Sequence, residues 1–178
     1  KVFARNVDGV NDADSVARER FCRERGFLSE NAYPVFPRFI DEGDTDGRPW
    51  YVMELLEQAE LPSNDADVAG FILKISECVN VLHTMGFVHR DIKPGNIMRR
   101  SDGTPILIDM GLLKAVETDC ESEGNNRVRP LSTLSVIDGK AVGVGTPRYA
   151  APEQFNGGEI SPAADIHALG MLINECFK

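Results

Sequence analysis

Residues 89–96 read His-Arg-Asp-Ile-Lys-Pro-Gly-Asn and place a carboxylate, an amine and a carboxamide within six residues. Short apolar runs flank this segment, residues 87–89 before it and residues 97–98 after it, and both are typical of short strands. The pattern therefore predicts a loop entered from one strand and left by another. Such a loop can aim the three functional groups at one point.

A second carboxylate follows in the same part of the chain. Asp109 comes directly after the apolar run 105–108 and precedes Met110-Gly111, where glycine allows a sharp turn. Phosphoryl transfer needs a carboxylate that accepts the proton of a hydroxyl, a cation near the moving phosphate, and oxygen ligands for magnesium. Asn96 and Asp109 offer the hard oxygen atoms that magnesium prefers. The residues therefore fit a phosphoryl-transfer site.

The surrounding sequence alternates short strands with three helices. Helical spacing of apolar residues predicts helices over about 14–28, 65–85 and 161–178. In the last of these, we expect Ile166, Leu169, Leu172 and Ile173 to lie on one face. Strand-like runs before and after an acidic turn at 43–47 predict a hairpin, and a turn at 101–103 separates two further short strands. Residues 117–140 are polar and almost patternless, which predicts a long loop.

Composition bounds the class of protein. The chain has 178 residues, of which 42% are apolar and 26% charged, and this excludes collagen-like, coiled-coil and wholly disordered proteins. A formal charge of -9 argues against nonspecific binding to polyanions, so nucleic acid is not an expected partner. The four cysteines form no zinc or disulfide pattern. No run approaches the roughly 20 apolar residues of a membrane span, so we expect no membrane insertion within this segment and a cytoplasmic location.

Three motifs in one order resemble the eukaryotic-type serine/threonine protein kinase family. They are HRDIKPGN at 89–96, DMG at 109–111 and APE at 151–153. The stretch 149–155, YAAPEQF, is more like bacterial members of that family. The resemblance implies a bilobal α+β fold, with a small β-rich lobe that carries one helix and a larger, mainly helical lobe.

The resemblance also implies boundaries within the chain. Residues 1–56 correspond to part of the small lobe and the hinge, and residues 57–178 to part of the large lobe. Residues 109–153 correspond to the activation segment. The glycine-rich strands and the last helices of the family are not seen, so we expect the domain to be incomplete at both ends.

Carried over residue by residue, the resemblance makes Asp91 the catalytic base and places Lys93 beside the transferred phosphate. Asn96 and Asp109 become the metal ligands. Thr146, in the run 145–149, matches a threonine whose hydroxyl bonds the catalytic aspartate and lysine; the alternative is an ordinary loop hydroxyl. Lys93 also favours serine or threonine over tyrosine as the acceptor.

Further positions correspond to the ATP site. Lys1 matches the strand lysine that binds the α- and β-phosphates, and Glu24 matches its helical partner. Glu19 is the rival for that partner, and a solvated helix face is the alternative for both.

The run 52–56 resembles the hinge, with Met53 at the back of the adenine pocket and backbone groups of Glu54 and Leu56 on the adenine edge. Glu60 matches a ribose-binding acid, and Met98 the pocket floor. Ordinary core packing is the alternative for the apolar members.

The remaining predictions concern the residue that supports the loop 89–96 and the residues that regulate activity. Asp165 is expected to brace the loop 89–96, whereas His83 and His167 receive no role. Arg90 precedes Asp91, as in relatives where a phosphorylated residue of the activation segment pairs with that arginine. We place the phosphorylated residue in the cluster Ser132, Thr133 and Ser135, and a flexible loop with incidental hydroxyls is the alternative.

The expected function is that of an ATP-dependent serine/threonine protein kinase with Mg²⁺ or Mn²⁺ as cofactor and proteins as substrates. A kinase-like module that binds nucleotide or a partner without transfer is the alternative, since no glycine-rich loop is present. A small-molecule phosphotransferase of related fold is disfavoured by the APE motif and by the lysine after Asp91.

Overall fold

The computed structural model describes residues 12–115, 134–137, 140–143, 145–156 and 158–178. Lys1, Ser132 and Thr133 lie outside these ranges. The helices are α1 (Asp12–Glu30), α2 (Asp65–Thr84), α3 (Glu153–Asn156) and α4 (Ala163–Cys176), with single 3₁₀ turns at Pro94–Asn96 and Met110–Leu112. The three long helices confirm the helical spacing of the sequence.

The strands are short and antiparallel. They are β1 (Phe39–Thr45), β2 (Arg48–Met53), β3 (Glu57–Gln58), β4 (Phe87–Val88), β5 (Ile97–Arg99), β6 (Pro105–Leu107), β7 (Lys114–Ala115), β8 (Leu134–Ile137) and β9 (Lys140–Gly143). β1 pairs with β2, β5 lies between β3 and β6, β4 pairs with β7, and β8 pairs with β9. The mixture of helices and small sheets confirms the α+β class.

The hairpin β8–β9 corrects the prediction of a patternless loop over 117–140. Leu134 pairs with Gly143 and Ile137 with Lys140, so the ladder closes inside and just beyond that stretch. Two four-residue strands are too short to give a period that stands out from the polar sequence around them. The hairpin β1–β2 was predicted, and its turn lies at Asp46-Gly47, where both residues have positive φ.

Helix α2 shows why the sequence folds locally as predicted. The Asn64 side chain accepts a hydrogen bond from the Asp67 N–H at 3.0 Å and caps the helix. Gly86, with φ of +79°, follows the helix and allows the chain to reverse into β4. The buried face carries Val68, Ile75, Cys78, Val79 and Leu82. Burial raises the pKa of the Cys78 thiol to about 12, so this cysteine stays a neutral core residue.

Helix α4 carries the predicted apolar residues, but only part of that face is buried. Leu169 and Leu172 are buried, whereas Ile166 and Ile173 are exposed. The buried residues of α4 also include Ala164, Asp165, Ala168 and Cys176. The carboxylate of Asp165 therefore lies among the buried residues of this helix.

The core connects α1 to the loops that carry the polar motifs. Phe21, Tyr51, Leu82, Met110 and Leu172 belong to one buried cluster, and Met110 is fully buried. A Cβ on Gly111 would lie 3.2 Å from both the Cβ and the backbone oxygen of Arg20. Helix α1 therefore packs closely on the turn 110–112. No helix within the described ranges is long and apolar enough to span a bilayer.

Candidate active site

A buried carboxylate fixes the backbone of the loop 89–96. Asp165, on α4, is fully buried. Its Oδ2 accepts from the His89 N–H at 2.8 Å, and its Oδ1 accepts from the Arg90 N–H at 2.9 Å. Arg90 has φ of +71°, a conformation that costs free energy for a residue with a Cβ. Asp165 therefore braces a strained turn, as the resemblance implied.

His83 is a residue of this site that sequence reasoning missed. Its Nε2 lies 2.8 Å from Oδ2 of Asp165, and its side chain is only 17% exposed. The signal was weak because the two residues are 82 positions apart. His83 thus makes a third polar contact to the carboxylate that holds the loop.

Asp91 lies at the centre of a compact polar cluster and is buried. Its Oδ2 accepts from the Lys93 ammonium at 2.7 Å and from the Asn96 amide at 2.9 Å. Its Oδ1 accepts from the Thr146 hydroxyl at 2.8 Å, and that hydroxyl oxygen in turn accepts from Lys93 at 2.8 Å. The structure thus brings together the four residues that the resemblance grouped as catalytic.

Asn96 and Asp109 are placed by adjacent backbone. The Asn96 amide also donates to the backbone oxygen of Asp91 at 2.8 Å, which directs its NH₂ group into the loop. The Ile108 N–H donates to the backbone oxygen of Asn96 at 2.8 Å, so Asp109 follows immediately beside it. An amide oxygen and a carboxylate are a donor set that suits Mg²⁺. Within the described ranges, no group of three or more His, Cys, Asp or Glu side chains could hold a metal by itself.

Glu24 lies in the interior and not on a solvated face of α1. It is 3% exposed, and Glu19, its rival, is exposed. Burial raises the pKa of the Tyr51 hydroxyl, and so does the nearby negative charge of Glu24. Asp109 adds to the shift, so both carboxylates act on the same phenol. Lys1, the expected partner of Glu24, lies outside the described residues.

The hinge positions lie at the end of β2 and beyond it. Met53 and Met98 are half-buried, Leu56 is buried, and Glu60 is exposed. The side chain of Glu54 accepts from Arg100 Nη2 at 2.7 Å, and this interaction lowers the pKa of Glu54. Glu54 therefore has a structural role in addition to the backbone role expected of it.

Arginine side chains gather behind the loop. Arg90 is 2% exposed, and burial, then Arg23 and Arg20, lower its pKa to about 10. No nitrogen of the Arg90 guanidinium has a hydrogen-bond partner among the described residues. Arg23 is also buried, and its Nη2 is paired with Glu19 at 3.0 Å, whereas its Nε and Nη1 have no hydrogen-bond partner within the described ranges.

These three arginines concentrate positive charge behind the loop. Sequence reasoning found Arg90 but missed Arg23 and Arg20, although their spacing puts them on one helix face. Ser135 lies in β8, whereas Ser132 and Thr133 are outside the described residues.

Comparisons with known proteins agree with this geometry. Residues 7–178 match the family model described as protein kinase domain. The serine/threonine-protein kinase PknH of Mycobacterium bovis is 30% identical over 171 residues, 92% of this chain and 26% of that protein. The DNA damage-responsive serine/threonine-protein kinase RqkA of Deinococcus radiodurans is 32% identical, over 88% of this chain and 23% of its own.

A third relative is the probable serine/threonine-protein kinase PknB of Lactococcus lactis, 26% identical over 91% of this chain and 25% of that protein. The chain spans about a quarter of the length of these curated relatives.

Proposed function

The chain belongs to the protein kinase family, and from that premise we propose that it transfers the γ-phosphoryl group of ATP to serine and threonine hydroxyls of proteins. The family uses ATP and a divalent metal ion. The observation that carries the proposal is the polar cluster in which Lys93, Asn96 and Thr146 all bond the Asp91 carboxylate. A module that only binds nucleotide would not need this assembled cluster.

The residues divide the chemistry among them. The acceptor hydroxyl oxygen attacks the γ-phosphorus, the bond from that phosphorus to the β,γ-bridging oxygen breaks, and the hydroxyl proton passes to Asp91. Lys93 lies 2.7 Å from Asp91 and stabilises the charge on the moving phosphoryl group. Thr146 holds Asp91 and Lys93 at a fixed separation. The contact between Lys93 and Thr146 supports serine or threonine as acceptor.

Asn96 and Asp109 would hold the metal ion, for which we propose Mg²⁺, with Mn²⁺ as a substitute. When bound, the ion neutralises negative charge on the β- and γ-phosphates. Asn96 presents its amide oxygen because its NH₂ group is engaged by Asp91. The left-handed backbone at Asp109, with φ of +67°, sets the direction of its carboxylate.

The remaining positions form the proposed nucleotide site. Glu24 is the buried anion for Lys1, and Met53, Glu54, Leu56, Glu60 and Met98 surround the adenosine. In this proposal residues 1–56 contribute the small lobe and hinge, and residues 57–178 the large lobe. The burial of Glu24 supports the first assignment, because the alternative was a solvated helix face and the rival Glu19 is the exposed one of the two.

For regulation, we propose that a phosphorylated residue in the cluster Ser132, Thr133 and Ser135 binds Arg90. The guanidinium nitrogens of Arg90 and Arg23 that have no hydrogen-bond partner in the described part of the chain support this proposal. Peptide mass analysis after incubation with Mg²⁺ and ATP should find phosphate on that cluster. Turnover of substrates without phosphate there would contradict it.

The test of the function is transfer of label from [γ-³²P]ATP to a generic protein substrate. We expect strong labelling by the complete protein, confined to phosphoserine and phosphothreonine, and almost none by Asp91→Ala or Asp109→Ala. Equal labelling by all three proteins would remove the proposed roles of both residues. Nucleotide binding without labelling by the wild type would favour the binding module instead.

A further inference from the structure

A buried amide joins the loop 89–96 to the segment that carries Thr146. Gln154 is 1% exposed and follows the APE motif directly. Its Nε2 donates to the backbone oxygen of Arg90 at 2.8 Å. Its Oε1 accepts from the Ala151 N–H at 3.0 Å. One side chain therefore bonds the backbone of two segments that are far apart in sequence.

The first end of this bridge acts on the strained turn before Asp91. Arg90 has φ of +71°, and its N–H is already bonded to Asp165. Gln154 bonds the carbonyl of the same residue, so both polar backbone groups of Arg90 are fixed. A strained conformation persists only where its surroundings over-determine it. The Arg90 carbonyl belongs to the peptide bond between Arg90 and Asp91. A rotation of this peptide group would therefore move the Asp91 carboxylate.

The second end acts on the turn that holds Thr146. The backbone oxygen of Thr146 accepts from the N–H groups of Tyr149 and Ala150, both at 2.9 Å, and Ala151 follows. The amide also lies directly against Gly145, where an added Cβ would be 2.8 Å from Nε2 and 3.0 Å from the Arg90 oxygen. This glycine has φ of +123°. The close approach of the two segments thus depends on Gly145 and is held by Gln154.

We propose that Gln154 is a positioning residue for the reaction: by fixing the Arg90 carbonyl to the segment 145–156, it keeps the Asp91 carboxylate and the Thr146 hydroxyl in register. This inference rests on the proposed function. It adds a requirement for one hydrogen bond, from an amide N–H to the Arg90 oxygen, that neither a carboxylate nor an apolar side chain of the same size supplies.

The test compares Gln154→Glu and Gln154→Met with wild type in the complete protein, by steady-state phosphorylation of a peptide between pH 6 and 8.5. In Gln154→Glu the buried carboxyl has a raised pKa. Protonated, it donates to the Arg90 oxygen; ionised, it repels it. We expect kcat within about twofold of wild type at pH 6 and about tenfold below it at pH 8.5. Gln154→Met should lose about tenfold at every pH, and the KM for ATP should change by less than about twofold in both.

Asn156→Asp is the matched control, because it makes the same change of amide to carboxylate on an exposed side chain two residues away. Its ratio to wild type should not vary with pH. The charged and titratable groups around the bridge, Arg90, Asp91, Asp165 and His83, are unchanged in all the variants, and each ratio to wild type is taken at the same pH.

The outcomes separate the possibilities. A Gln154→Glu deficit that is independent of pH, or no deficit in either variant, would overturn the inference while leaving the kinase function intact. Absence of turnover by wild type would instead remove the proposed function. If Gln154→Glu does not fold, the neutral Gln154→Met decides: hydrogen exchange should rise at residues 90–92 and 146–151, and unchanged exchange there would overturn the inference.

Discussion

Arg90 and Asp91 are neighbours in the chain, but their side chains differ in hydrogen bonding. Both are buried. Each oxygen of Asp91 accepts hydrogen bonds from side chains, Oδ1 from Thr146 and Oδ2 from Lys93 and Asn96. The guanidinium of Arg90 has no partner among the described residues and has a second arginine, Arg23, beside it. Among the described residues, the side chain of Asp91 is fully hydrogen-bonded and that of Arg90 is not.

The difference teaches which part of the site is preassembled. A buried carboxylate with every oxygen bonded costs little to keep in place and is ready for catalysis. A buried cation without an anion destabilises the fold until one arrives. Burial lowers the pKa of Arg90 only to about 10, so the group stays charged at neutral pH. Under the proposed function, the Asp91 cluster is therefore assembled before substrate binds, whereas Arg90 is the group that a phosphate would complete.

The variant Asp165→Asn should have the largest effect, because the Asp165 carboxylate holds the backbone of the loop that carries both Arg90 and Asp91. An amide NH₂ in its place would face the His89 or Arg90 N–H, and one buried donor would lose its acceptor. We expect the free energy of unfolding to fall by about 3 kcal/mol in urea titrations. Asp46→Asn, an exposed turn residue with φ of +54°, is the control and should change it little. Equal stability of the two variants would show that the brace is not needed.

The variant Lys93→Met should disturb the polar cluster around Asp91 and leave Arg90 unaffected. It removes the hydrogen bonds from Nζ to Asp91 and Thr146 while keeping the length of the side chain. We expect kcat to fall about 100-fold with little change in stability. Lys74→Met, at an exposed helix position paired only with Glu77, is the matched control. If both variants keep wild-type kcat, Lys93 has no part in transfer.

Much of the cluster around Asp91 could be predicted from sequence, because most of its residues are close together in the chain. Asp91, Lys93 and Asn96 lie within six residues, so one loop brings them together. Glu24 could be chosen over Glu19 from the spacing of the resembling motif, and the structure buries the one and exposes the other. Thr146 is 55 residues from Asp91, and only the resemblance connected them.

What could not be predicted depends on distant segments. His83 bonds Asp165 across 82 residues, and no local pattern marks either one for the other. Asp165 is among the buried residues of α4, and a carboxylate is not detected by a search for apolar periodicity. Arg23 looks like any charged helix residue until the packing of α1 on the turn 110–112 shows that it is buried. These contacts are set by tertiary packing.

The variant Thr146→Val should have a smaller effect on kcat, and it tests one hydroxyl group in the polar cluster around Asp91. Valine keeps the shape of threonine but neither donates to Asp91 nor accepts from Lys93. We expect kcat to fall about tenfold, because the carboxylate and the ammonium lose the atom that spaces them. Thr146→Ser keeps the hydroxyl and should stay within about threefold of wild type. If the serine variant falls as far as the valine variant, the methyl group and not the hydroxyl matters.

The variant Arg90→Met tests the role of the buried guanidinium. It should have the smallest effect on stability and, unlike Asp165→Asn, it should raise the free energy of unfolding. The folded-state pKa of Arg90 lies below its unfolded value, so the charged side chain favours the unfolded state at all pH values below about 10. Removing the charge should therefore raise the free energy of unfolding of the phosphatase-treated protein by about 1 kcal/mol. Arg18→Met, at an exposed position on the same helix as Arg23, should leave it unchanged. Phosphorylation should then stabilise the wild type and the Arg18→Met control but not Arg90→Met. Equal stabilisation of all three would mean that the phosphate binds elsewhere, and Arg90 would be a buried cation with no anion to receive.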